Sequence, residues 1–144
     1  MKSDNATVTV VERNDAAGDY CYDVTSKGGK TWTYCTQPVK FTPGTTYVVD
    51  FDVRLTGTVD KNTDAALKTS IYVNLQYDGG DKRDHNILAG SLSVGDGWTH
   101  LSAEVKVGTD CNNEKDIFSI YSNPIGDLGV NYQLDNIRMT KKAE

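Results

Sequence analysis

The sequence lacks an excess of basic residues, a long apolar run, a sustained helical period and an even set of cysteines. Fifteen Lys and Arg stand against twenty Asp and Glu, for a net charge of −5. That balance argues against a nucleic-acid partner, which requires a basic surface. It also gives no polybasic patch for an anionic membrane. No apolar run approaches the ~18–20 residues of a spanning helix. No signal peptide is visible, and the opening MKSDNATV reads as the start of a mature or excised module. Three cysteines, Cys21, Cys35 and Cys111, make no disulfide framework. Strand phasing sets Cys35 on a buried face and Cys21 on an outward one, so free thiols are expected. His85 and His100 are too far apart in sequence for a metal-ligand spacing, and no Ser or Cys has a nucleophile-elbow context.

What remains is a β-rich chain. Thirteen Gly, eight Tyr and many Thr, Val and Asp favour strands joined by turns. Short alternating runs recur at 6–12, 20–26, 31–41, 46–57, 67–77, 87–94, 98–107, 116–122 and 130–140. Turn signals separate them, among them Pro43-Gly44, which suits a type II turn. No repeat, linker or second domain interrupts the pattern. The spacing predicts one domain over 1–144: an all-β, two-sheet antiparallel sandwich of jelly-roll type.

Phasing then assigns faces. In 46–57, Tyr47, Val49, Phe51, Val53 and Leu55 face inward, leaving Asp50, Asp52 and Arg54 outward. In 67–77, Ile71, Val73 and Leu75 face inward, leaving Tyr72, Asn74 and Gln76 outward. The same counting turns Trp32 and Tyr34 outward, and Tyr121 in 116–122. If these strands share a sheet, it carries rings, amides and paired charges. Sugars need that combination: their apolar C–H faces stack on aromatic planes, and their hydroxyls need directional donors and acceptors. His85, at a loop end, is a further candidate contact. Outward tyrosines are also ordinary strand formers, so phasing alone leaves both readings open.

Three segments carry a family resemblance. W-x-Y-x-x-Q followed by FTPGTTYVVDFDVR (32–54), GDGWTHLSAEVKV (95–107), and IYSN with VNYQLDNIRM near the C-terminus resemble, in order and spacing, the sugar-binding modules of families 4, 9, 16 and 22. Those modules are appended to xylanases and glucanases. The resemblance implies a jelly roll whose concave sheet binds a β-1,4-linked plant cell-wall polysaccharide, xylan or β-glucan. It implies a cleft lined by Trp32, Tyr72 and Tyr121, and a secreted, extracellular parent protein in which the module holds a glycoside hydrolase near its substrate. It also implies a structural calcium ion at Asp135. The Glu-bearing strand that shares that ion in the family is not found here, and Asn136 stands beside Asp135. A monomer is expected, with a polysaccharide or oligosaccharide ligand.

Two other classes compete. Asp50 and Asp52 lie i, i+2 on one face, within reach of the roughly 5–9.5 Å separation of glycosidase carboxylates. No Glu is near to act as the acid, and Arg54 would hold an Asp ionised, so a non-catalytic role is expected. DGGDKRD (78–84) superficially resembles a calcium loop but lacks the closing Glu, and is read as a hairpin connection. A protein-interaction or structural β-sandwich domain of a cell-surface protein is the alternative with the same fold.

Overall fold

Strict alternation in the segment Thr46–Gly57 drives its burial: Tyr47, Val49, Phe51, Val53 and Leu55 are buried, while the residues between them are half-buried. The computed structural model describes residues 1–3, 5–27, 33–57, 68–77, 84–111, 116–122 and 130–142. These residues form nine strands: β1 Ala6–Glu12, β2 Tyr20–Ser26, β3 Thr33–Pro38, β4 Thr46–Gly57, β5 Thr69–Gln76, β6 Asp84–Leu92, β7 Thr99–Lys106, β8 Ile117–Ser122 and β9 Val130–Lys141.

The strands pair antiparallel in two sheets, of order β1-β2-β9-β4-β7 and β3-β8-β5-β6. This is the expected jelly-roll sandwich. Inward faces of both sheets supply one core, including Val24, Phe51 and Leu134 from the first and Cys35, Val73 and Ile120 from the second, all almost fully buried. Two buried tyrosine hydroxyls are tied off, whereas the buried Thr33 and Thr69 hydroxyls have no hydrogen-bond partner among the described residues. The Tyr132 phenol donates to the Thr33 carbonyl at 2.8 Å, and Tyr77 Oη accepts the Gly108 N–H at 2.9 Å. The Pro43-Gly44 turn forms with Gly44 at φ 74°, the left-handed value a type II turn needs at its third residue. Two bulges matter below. One extra residue in β6 shifts the register opposite Ile71 and Tyr72. Another in β9 falls between the partners of Asp50 and Asp52, where Asn136 takes φ 50°.

The three cysteines are unpaired and buried. Cys21 was expected on an outward face, yet it is only 4% exposed. Its parity is opposite to that of Val24, and it sits at the floor of a small hollow it lines with Val10, Tyr20, Tyr22 and Asp135.

Candidate functional site

Registry across the four-stranded sheet decides which outward residues meet. Tyr34 on β3 lies opposite Tyr121 on β8, and Tyr121 lies opposite Tyr72 on β5. Adjacent strands stand about 4.8 Å apart, so the three rings overlap. Tyr34 and Tyr121 stack at 4.9 Å between centroids, and Tyr72 and Tyr121 at 5.1 Å with planes 11° apart. The next row on the same face is Thr36, Ser119, Asn74 and Asn86. Asn86 Oδ1 accepts from Asn74 Nδ2 at 2.6 Å and from the Tyr121 hydroxyl at 2.7 Å. Because β5 separates β8 from β6, the Tyr121 ring must reach across β5, over Asn74. Asn74 is accordingly 4% exposed, and its Oδ1 is buried without a hydrogen-bond partner. Tyr121 is itself only 6% exposed. Its faces are largely taken by its neighbours, so Tyr34 and Tyr72 carry the accessible ring surface. Gln76 continues this face one row further along β5. Leu88, 53% exposed, stands opposite Tyr72 on the edge strand β6.

The structure corrects the expectation that all the polar faces share one sheet. Asp50, Asp52 and Arg54 lie on β4, which pairs with β7 and β9 in the five-stranded sheet. Alternation gives the outward direction of a side chain but not the sheet it belongs to. Arg54 also does not pair with either Asp: it donates to Gln133 Oε1 at 2.9 Å, and Gln133 donates to Asp23. Asp52 instead meets His100 Nδ1 at 2.9 Å and accepts from Asn136 Nδ2 at 2.8 Å. Burial raises the Asp52 pKa, but these two bonds outweigh it and leave the carboxyl below its usual range. Asp50 lies 3.5 Å from the other nitrogen of His100. Trp32 lies outside the described residues. His85 belongs to β6, paired with Leu75, but its side chain lies outside the description, as does 78–83.

Sequence reasoning missed Asn86 and Leu88. The strand was expected to start at 87, which left Asn86 in the loop, and the β6 bulge that sets Leu88 beside Tyr72 has no local sequence mark. It also missed Arg13. This guanidinium, 12% exposed, forks onto Asp15 at 2.8 and 2.9 Å and reaches Asp135 at 2.6 Å. It lies 4.1 Å over the Trp98 ring, whose N–H donates to Asn14 Oδ1. Asp135 therefore already faces a cation. Its other oxygen accepts the Asn136 N–H at 2.8 Å. Among the described residues no group of three or more His, Cys, Asp or Glu is placed to hold a metal. The donor set at Asp135 does not fit the six to eight oxygens calcium takes.

A hollow of about 400 Å³ opens near Asp135 and Asn136, lined from β2 and β9 of one sheet and from β3 and β8 of the other. Its walls are mainly apolar, with Met1, Val39, Phe118 and Met139. Its lining lacks the stacked tyrosines of the other face.

The family model described as "Carbohydrate binding domain" matches residues 2–124. The chain belongs to this family. The module resembles solved structures at low identity, which supports the fold. One is the N-terminal endo-1,4-β-D-xylanase 10B of Clostridium thermocellum, its CBM22-1–GH10 modules complexed with xylohexaose, at 17% identity and TM-score 0.65. That match covers 96% of the module and 25% of the larger chain. Another is the C-terminal family 22 carbohydrate-binding module of the same organism's Xyn10B, at 17% identity and TM-score 0.68, covering 94% of the module and 80% of that chain. A third is the CBM22-1 xylan-binding domain of Paenibacillus barcinonensis Xyn10C, at 11% identity and TM-score 0.69, covering 99% and 85%. No curated protein sequence matches the module.

Proposed function

We propose that this carbohydrate-binding module holds a β-1,4-linked plant cell-wall polysaccharide, xylan or β-glucan, on the outer face of its four-stranded sheet. The observation that carries this reading is the overlapping row of Tyr34, Tyr121 and Tyr72 beside the Asn74–Asn86 amide pair. Tyr72 and Tyr34 offer ring surface to sugar C–H faces, while Asn86 and Gln76 supply hydroxyl partners and the buried Asn74 holds Asn86 in place. Tyr121 braces the row and aims Asn86. Trp32, two residues before Tyr34 in sequence, and His85 on β6 belong to the proposed site on the sequence argument. Asp50, Asp52 and Arg54 do not, because they occupy the opposite sheet. The module is non-catalytic, monomeric and extracellular, and it holds an attached glycoside hydrolase at its substrate. Affinity should be modest, since an open face buries little ligand area.

Affinity gel electrophoresis against xylan, mixed-linkage glucan, glucomannan and hydroxyethyl cellulose tests this. Retardation without product release is expected, and its loss in Tyr72→Ala with an unchanged circular dichroism spectrum. One observation favours a second reading: Ile87 and Leu88 are exposed apolar residues on edge strand β6, a feature of protein-docking edges. No retardation on any of the four polymers would favour that interaction domain.

A further inference from the structure

Arg13 stands against the carboxylate where the family resemblance placed a metal ion. Three elements converge there: the loop after β1 brings Arg13 and Asp15, the β9 bulge brings Asp135 and Asn136, and the turn before β7 brings Trp98. Without a cation, the half-exposed Asp15 and the more sheltered Asp135 would leave two like charges close together and unpaired, an unfavourable arrangement. The guanidinium fork neutralises both with three short bonds, a geometry lysine cannot reproduce. Trp98 covers its flat face, and the Trp98–Asn14 bond fastens that cover to the same loop. The left-handed Asn136 gives its backbone N–H to Asp135 and its amide to Asp52, extending the network to β4. The Asp15 carboxyl is held below its ordinary range chiefly by its bond from Arg13.

We infer that Arg13 is a built-in cation that replaces structural calcium in this module, joining the β1–β2 loop, the β9 bulge and the start of β7 without a metal. The inference is independent of which polysaccharide binds, because these residues lie on the five-stranded sheet, away from the tyrosine row.

Thermal unfolding of the whole module in EDTA and in millimolar calcium tests it. The unsubstituted protein is expected to melt at the same temperature in both. Arg13→Ala is expected to melt about 3–5 °C lower in EDTA. It should recover part of that loss in calcium, because Asp15 and Asp135 are then an uncompensated pair open to a divalent ion. Arg13→Lys, which keeps the charge but loses the fork, should melt between the two and remain indifferent to calcium. An unsubstituted protein whose melting temperature falls in EDTA overturns the inference. So does an Arg13→Ala chain, folded or unfolded, that is indifferent to calcium.

Discussion

The Tyr121 hydroxyl donates to Asn86 Oδ1 at 2.7 Å although β5 lies between their strands. The bond fixes the lean of the central ring and, with it, the stacking of Tyr34 and Tyr72 on either side. Tyr121 thus acts on a sugar through its neighbours, since its own ring is nearly covered. Tyr121→Phe keeps the ring and removes the donor. It should lower stability by about 1 kcal/mol and weaken retardation in affinity gels less than Tyr72→Ala does. Chemical denaturation and the gels read the two effects separately.

Tyr72 bears an accessible ring beside Leu88 and Asn86. Its replacement by Ala should weaken polysaccharide binding about tenfold, the equivalent of one lost stacking contact. Asp50→Ala and Asp52→Ala should leave binding unchanged, because both residues face away on the other sheet. Isothermal titration with the polymer that gives the strongest retardation would show whether the ordering holds.

Asp52 makes stability depend on acid. Its folded pKa lies below the ordinary carboxyl value near 3.8, where Asn136 and His100 hold the charged form. The contribution is therefore present above the unfolded pKa and is lost as pH falls through the folded one. Melting temperature measured from pH 6 to pH 2 should drop less steeply for Asp52→Asn than for the unsubstituted protein. Equal slopes would remove Asp52 from that account.

Burial raises the Cys35 thiol to about 11 and also raises Cys21. Cys111 is buried beside Asp116. All three thiols should resist a disulfide-exchange reagent in the native protein and react together in denaturant. Labelling of only one thiol in denaturant would mean that two are paired.

Much of the fold was legible because core burial follows a period of two. The inward residues of β4 and the inward Cys35, Phe118 and Ile120 all fall on their expected faces. So do the outward tyrosines, and strand pairing then places three of them together. Sheet membership was not legible. Nothing local distinguishes the outward charges of β4 from the outward amides of β5, and only the pairing of β4 with β9 and β7 parts them. Bulges were equally silent. The one in β6 brings Leu88 opposite Tyr72, and the one in β9 sets Asp135 against Arg13, 122 residues away in sequence, and Asn136 against Asp52.

The most direct test of sugar binding on the tyrosine face is an amide chemical-shift titration of the labelled module with xylohexaose, repeated with a β-glucan oligosaccharide. The account predicts perturbations, with at least one of the two ligands, that cluster at Tyr34, Tyr72, Asn74, Asn86 and Tyr121 and spare Asp50, Asp52 and His100. Perturbations centred on Asp50, Asp52 and His100, or none with either sugar, would contradict it.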